Sequence, residues 1–263
     1  MIMKEVYNTI LIRKEENIVT VTMNRPEVHN AMNAQMIAEL TEVFQNFDDD
    51  AIRAVVLRGN GKSFCAGADL NYMKEIATFG YDENKADSLK LARLFQSIYD
   101  CPFPTIAVVH GAAFGGANGL LAACDIVIAE ENTTFAFSEV KLGIAPATIA
   151  PFVMKRIGEF GAKELMITGK RFKGQEALKW HLVNNAVPEN ELENTLNALL
   201  DELKRNAPGA VRATKNLIRT IVDNEQNDML TYTASLIAEL RAAEEGQEGM
   251  AAFLEKRKAK WNH

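Results

Sequence analysis

The stretch Gly59-Asn60-Gly61-Lys62-Ser63-Phe64-Cys65-Ala66-Gly67-Ala68-Asp69-Leu70 follows the β-branched run Ala54-Val55-Val56-Leu57 and leads into a helical pattern. A second stretch repeats the arrangement. Thr105-Ile106-Ala107-Val108-Val109 is followed by His110-Gly111-Ala112-Ala113-Phe114-Gly115-Gly116-Ala117-Asn118-Gly119, which runs into an apolar helix ending near Cys124. Short buried strands joined to helices are the pattern of an α/β core. Small residues at such a junction let a ligand approach the backbone, and free N–H groups at a helix start attract negative charge. Either junction taken alone reads more readily as a tight turn that needs glycine at positive φ.

Outward from these turns, residues 9–13 and 18–23 are β-branched runs separated by Lys14-Glu15-Glu16-Asn17, a hairpin pattern that Asn24-Arg25-Pro26 breaks. Met36, Ile37, Leu40, Val43, Phe44 and Phe47 fall at helical spacing. Further strands are expected at 125–128 and 135–137. After about residue 156 the only strand expected lies near 184–187. Residues 191–205, 208–223, 228–245 and 247–260 read as amphipathic helices. The expected organisation is an α/β core over 1–190 and a helical region over 191–263, with Pro188 and Pro208 at boundaries.

Composition narrows the function. A chain of 263 residues, 48 % hydrophobic and 24 % charged, buries roughly 70–75 % of its unfolded surface and needs no disulfide or structural metal. The formal net charge of −6 is a poor footprint for nucleic acid. Cys65, Cys101 and Cys124 form no C-x-x-C, so reduced thiols are expected and a metal site is not. Met1-Ile2-Met3-Lys4-Glu5 lacks the apolar run of a signal peptide, and Gly111–Ala129 is interrupted by Asn118 and Asp125, so neither export nor a membrane span is expected. The expected location is the cytoplasm. Neither glycine run is a dinucleotide or P-loop fingerprint, no G-x-S-x-G is present, and His29, His110, His181 and His263 form no H-E-x-x-H. The basic run Lys256-Arg257-Lys258-Ala259-Lys260 is either a solvated helix end or a site for a small phosphorylated ligand.

Taken together, Ser63-Phe64-Cys65-Ala66-Gly67-Ala68-Asp69-Leu70 and Gly111-Ala112-Ala113-Phe114-Gly115-Gly116 resemble the enoyl-CoA hydratase/isomerase (crotonase) superfamily. Asn24-Arg25-Pro26, Asn30-Ala31-Met32-Asn33, Phe137-Ser138-Glu139-Val140-Lys141-Leu142-Gly143, Thr168-Gly169-Lys170-Arg171 and Glu248–Arg257 match in the same order, so the resemblance covers nearly the whole chain. It implies a ββα spiral core with a C-terminal helical trimerisation region, giving a homotrimer or a dimer of trimers. It also implies a thioester enolate held by the backbone N–H groups of Ala68 and Gly116, where a side chain at 116 would obstruct the thioester. CoA is then part of the substrate, with no separate cofactor. Arg25 and the Met23–Arg25 segment, the Ala66 carbonyl, Ala68, Asp69, Leu70, Gly116 and Gly119 become substrate-binding candidates. Phe253 and Lys256 match positions that reach the CoA of a neighbouring subunit.

Hydratases of the superfamily carry two glutamates. Here the second falls on Glu139 and the first on Gly119. Hydration needs water to be deprotonated and the α carbon to be protonated, whereas a double-bond shift needs one base, so a single glutamate favours an isomerase on chemistry alone. Against this, Ser138–Ile149 and Gly115-Gly116-x-x-Gly119-Leu120 resemble the methylglutaconyl-CoA hydratase-like branch, and the resemblance implies a place in fatty acid metabolism or leucine degradation. A non-catalytic acyl-CoA or protein-binding member is the third reading. Asp69 reads otherwise as a helix N-cap and Glu75 as a solvated helix face. Asn118 could orient water but not act as a base. Lys74, Lys141 and Arg156 are candidate partners for an acyl carboxylate. Phe103, Phe114, Tyr72, Met73 and Phe152 are candidates for the pocket wall.

Overall fold

The structure is a computed structural model and describes residues 7–47, 49–223 and 229–262. Strands β1 (Ile10–Glu15) and β2 (Ile18–Met23) form the expected hairpin, and helix α1 (Ala34–Gln45) follows with Asn33 as its N-cap. Next come β3 (Ala54–Gly59), α2 (Leu70–Ile76) and α3 (Tyr81–Tyr99). Two successive ββα turns follow: β4 (Thr105–Val109), β5 (Ala112–Phe114) and α4 (Ala117–Ala123), then β6 (Ile126–Glu130), β7 (Thr134–Ala136) and α5 (Ala150–Thr168). After α5 the chain forms β8 (Arg171–Lys173), α6 (Gly174–Lys179) and β9 (Asn185–Val187).

Each turn of this spiral gives one strand to a large sheet, ordered β1-β2-β3-β4-β6-β9, and one to a small sheet, ordered β5-β7-β8. Apart from the β1–β2 hairpin, every pairing in the large sheet is parallel. Ala54–Leu57 and all of β4 are buried, the run of apolar residues expected where both faces of a parallel sheet are covered. Parallel strands need long crossovers, and the glycine turns begin where β3 and β4 end.

Helices α7 (Leu192–Arg205), α8 (Pro208–Asp223), α9 (Met229–Ala242) and α10 (Glu244–Leu254) complete the chain. The chain divides into two compact units: Met1–Cys101 with Thr105–Leu196, and Pro102–Pro104 with Asn197–His263. Three local expectations need correction. β5 and β8 were not expected as strands, because three-residue strands carry too little alternation to show in sequence. The last helix begins at Glu244 and stops at Leu254 rather than running over 247–260. Lys256 takes a left-handed φ of 53° and the Arg257 N–H returns to the Ala252 carbonyl (3.0 Å), closing the helix end. Met1–Glu5 and the expected helix start at 228 lie outside the described residues. No helix among the described residues is long and apolar enough to cross a membrane.

Candidate active site

The two glycine turns run side by side. The N–H of Phe64 donates to the His110 carbonyl (2.9 Å), that of Cys65 to Ala112 (3.0 Å), and that of Phe114 back to Cys65 (3.2 Å). Gly67 has φ +95°, and a Cβ there would lie 2.9 Å from the Phe114 carbonyl oxygen, so only glycine permits the approach. On its other side the first turn is bridged to Met32, whose N–H donates to the Gly67 carbonyl (2.7 Å) and whose carbonyl accepts from Asp69 (2.9 Å). The Met32 Cε atom lies 2.8 Å from where a Cβ of Gly116 would stand. One buried methionine therefore spans from Ala68 to Gly116.

Most backbone donors around these two residues are spent. Ala66 donates to His29 (2.9 Å), Asp69 to Met32, Gly115 to Ala136 (2.9 Å) and Asn118 to Gly115 (2.9 Å). The N–H groups of Ala68 and Gly116 find no acceptor among the described residues. Two unpaired amides in neighbouring turns can hold a carbonyl oxygen as negative charge develops on it.

Glu139 begins a short 3-10 turn beyond β7. Its Oε1 lies 3.3 Å from the place a Cβ on Gly115 would occupy, and Gly115 has φ +53°. Its Oε2 is buried and has no hydrogen-bond partner. Burial therefore pushes this carboxyl above its ordinary range, and the bond to its own backbone offsets the effect only in part. A carboxylate so placed is a better proton acceptor than an exposed one and can return the proton it takes.

Asp69 is the opposite case. It caps α2, its Oδ1 accepting from the N–H groups of Asn71 (2.8 Å) and Tyr72 (3.2 Å) while its Oδ2 accepts from Arg25 (2.8 Å). Burial alone would raise its pKa; the Arg25 guanidinium and the two amides outweigh burial and hold it below the usual carboxylate range. Its side-chain oxygens are committed to the fold. Arg25 is held likewise, donating also to the Ala31 carbonyl (2.6 Å).

Gly119 is closed in on the side a side chain would take. A Cβ there would lie 2.5 Å from Ile149 Cγ2 and 2.7 Å from Phe95 Cζ, so apolar side chains fill the space beside it. The Ala66 carbonyl accepts no hydrogen bond among the described residues, and Leu70 stands exposed at the start of α2. Glu75 is exposed. Arg156 is engaged by the Leu182 and Cys124 carbonyls and by Asn184, so it pins the fold and is not free for an acyl carboxylate. Phe152 packs on Phe95 and Tyr99. Phe103, Phe253 and Lys256 belong to the second compact unit, where Phe253 is exposed.

Sequence reasoning misses two roles. Met32 enters it only within a matching segment, and nothing local marks this residue as the link between the turns. Asn30, fully buried at φ 55°, accepts from the Arg25 N–H and donates to the Asn60 and Ser63 carbonyls, each at 2.8 Å. Asparagine tolerates the left-handed region better than other non-glycine residues, a signal that could have been read.

Comparison with known proteins agrees with this geometry. The family model described as Enoyl-CoA hydratase/isomerase matches residues 13–263. The short-chain-enoyl-CoA hydratase of Clostridium acetobutylicum is 35 % identical over 254 residues, covering 95 % of this chain and 96 % of that protein. The mevalonyl-coenzyme A hydratase sidH of Aspergillus fumigatus is 34 % identical over 251 residues, covering 93 % and 91 %. An enoyl-CoA hydratase structure from Shewanella pealeana superposes with a TM-score of 0.92 at 37 % identity, covering 97 % of this chain and 96 % of that one. With paired turns, open amides and a buried carboxylate carried on a fold shared along its whole length, the chain is an enzyme that belongs to the enoyl-CoA hydratase/isomerase family.

Proposed function

We propose that the protein adds water across the double bond of a 2-enoyl-CoA thioester, with Glu139 as its single acid and base and the Ala68 and Gly116 amides on the thioester oxygen. The observation that carries this reading is the buried, unpartnered Oε2 of Glu139, whose Oε1 stands beside Gly115, one residue from the open Gly116 amide. Ionised Glu139 takes a proton from water as the water oxygen bonds to the β carbon. The π electrons move to the thioester oxygen, where two N–H donors meet the charge. The enolate then collapses by taking that same proton from Glu139 at the α carbon, which restores the carboxylate. No atom is left over, and one carboxylate suffices because the proton it accepts is the one it returns.

A branched, methylglutaconyl-type acyl group is the finer proposal. It is supported by the resemblance of Ser138–Ile149 to that branch and by likeness to a relative named for mevalonyl-coenzyme A. For CoA itself, the Ala66 carbonyl and the exposed Leu70, with Phe253 and Lys256 reaching in from a neighbouring subunit, remain the proposed contacts. We also propose a trimer or dimer of trimers. Ile218, Ile221 and Val222 on α8, Leu230 and Ile237 on α9, and Leu254 at the end of α10 are apolar yet exposed in the single chain. Sedimentation at the mass of one 29.1 kDa chain would reject that assembly.

Double-bond isomerisation is the second reading, favoured by the filling of the Gly119 side by Phe95 and Ile149, which leaves no second acid there. Loss of the conjugated-thioester absorbance of crotonyl-CoA, with a hydroxyl gained from solvent, is expected for the hydratase. Growth of that absorbance from a 3-enoyl-CoA, with crotonyl-CoA untouched, would replace hydration by isomerisation. Silence in both assays with CoA thioester binding kept would leave a binding protein.

A further inference from the structure

We propose that Asn118 is a positioning residue: its side-chain amide clamps the carbonyl of the peptide unit whose other end is the Gly116 N–H, and so aims the second oxyanion donor. This rests on the role given above to Gly116. Asn118 lies on α4 and is fully buried. Its Nδ2 donates to the carbonyls of Gly115 (3.3 Å), Ala113 (3.3 Å) and Ala136 (2.9 Å), and its backbone N–H donates to the Gly115 carbonyl as well (2.9 Å). The Gly115 carbonyl and the Gly116 N–H belong to one peptide unit. That unit is planar and trans, so its two ends point in opposite directions, and fixing the oxygen from below fixes the N–H above.

Two features make a clamp necessary there. Gly115 is a glycine at φ +53°, with no side chain to resist rotation of the unit. Donors on the carbonyl also polarise the peptide and make its N–H a stronger donor. In the first turn the Gly67 carbonyl, opposite the Ala68 N–H, is likewise held from two sides, accepting from the Met32 N–H at 2.7 Å and from the Cys65 thiol at 3.8 Å. The second turn adds the Asn118 side chain to the bond from that residue's own backbone N–H and carries a penalty for it: the Asn118 Oδ1 is buried with no partner. A residue present only to fill space would be a leucine of the same shape, with no orphaned oxygen.

The test compares wild type with Asn118→Leu, using butyryl-CoA labelled with ¹³C at the thioester carbonyl as an unreactive probe and crotonyl-CoA as substrate. In wild type the bound carbonyl stretch should move to lower frequency as the two amides polarise it. In the variant that shift should shrink, butyryl-CoA affinity should hold within a few-fold, and kcat should fall roughly 10–100-fold with KM little changed, less than the ~10²–10³ of deleting a donor outright. A shift and kcat equal to wild type in the folded variant would overturn the role of Asn118 alone. A lowered melting temperature with unchanged band and kcat would make Asn118 structural only and would overturn that role equally. No shift in wild type would overturn the oxyanion reading itself and this proposal with it. If Asn118→Leu does not fold, Asn118→Ala removes the same donor without adding volume, and its outcomes are read in the same way.

Discussion

Asp69 and Glu139 are both carboxylates at the glycine turns, and the fold treats them in opposite ways. Asp69 has two amides and a guanidinium on its oxygens and is held below the usual carboxylate range. Glu139 has an oxygen buried with no partner and is held above that range. A carboxylate that is satisfied keeps its charge and keeps the fold. One that is left unsatisfied is costly to ionise, and that cost makes it a stronger base once ionised.

The sharpest way to break this contrast is Glu139→Gln. Size and polarity are kept and the base is lost, so turnover should fall ~10²–10⁴-fold with thioester binding retained. The acid limb of the pH–rate profile should disappear with it. Because the folded-state pKa of Glu139 is raised, its contribution to stability is present below its unfolded value and lost as pH rises through its folded value. The variant should therefore be at least as stable as wild type at neutral pH; a clear drop in melting temperature there would show that the carboxylate has a structural partner.

Placing a glutamate at position 119 tests whether a second acid could be accommodated. Gly119→Glu must push a Cβ into Ile149 and Phe95 and bury a charge among them, so a loss of about 3–5 kcal/mol and no gain in hydration are expected. A stable variant that hydrates crotonyl-CoA faster would mean that this wall yields to admit a second acid.

Asp69→Asn probes the satisfied member of the pair. The cap geometry survives but Arg25, mostly buried, loses its charge partner, at a cost of about 3 kcal/mol by the measure of other buried pairs. The sign is opposite to that of Glu139. The folded pKa of Asp69 is lowered, so the stability it adds is present above its unfolded value and lost as pH falls through its folded value. Urea unfolding of both proteins should show a gap that is full at neutral pH and narrows on acidification. A turnover loss much larger than the stability loss would return Asp69 to the reacting site.

The smallest effect is expected at Lys256, an exposed charge on the second unit. Lys256→Ala should raise KM for CoA thioesters roughly two- to five-fold, a typical value for an exposed ion pair, with kcat kept and the difference fading in salt. A pure kcat defect would exclude a phosphate contact.

Much of this was legible in one dimension. The β1–β2 hairpin, the strands at 54–57 and 105–109 and the helical C-terminal region follow from β-branched runs and helical spacing, which are local properties of the chain. The two glycine turns were legible because small residues at a strand–helix junction go against the surrounding pattern, whereas Glu139 was singled out only through the resemblance to the superfamily. What only the tertiary structure decided is which groups are left without partners. Asp69 and Glu139 look alike as letters, and so do the spent amide of Gly115 and the open amide of Gly116. The difference lies in contacts made by Arg25, Met32, Asn118 and Ala136, of which all but Asn118 come from other parts of the chain. Sequence shows only that Gly119 stands where the usual first glutamate would; that Phe95 of α3 and Ile149 ahead of α5 occupy its side is a matter of the fold. Hydrogen-bond satisfaction and free volume are sums over neighbours in space, and the order of residues along the chain does not contain them.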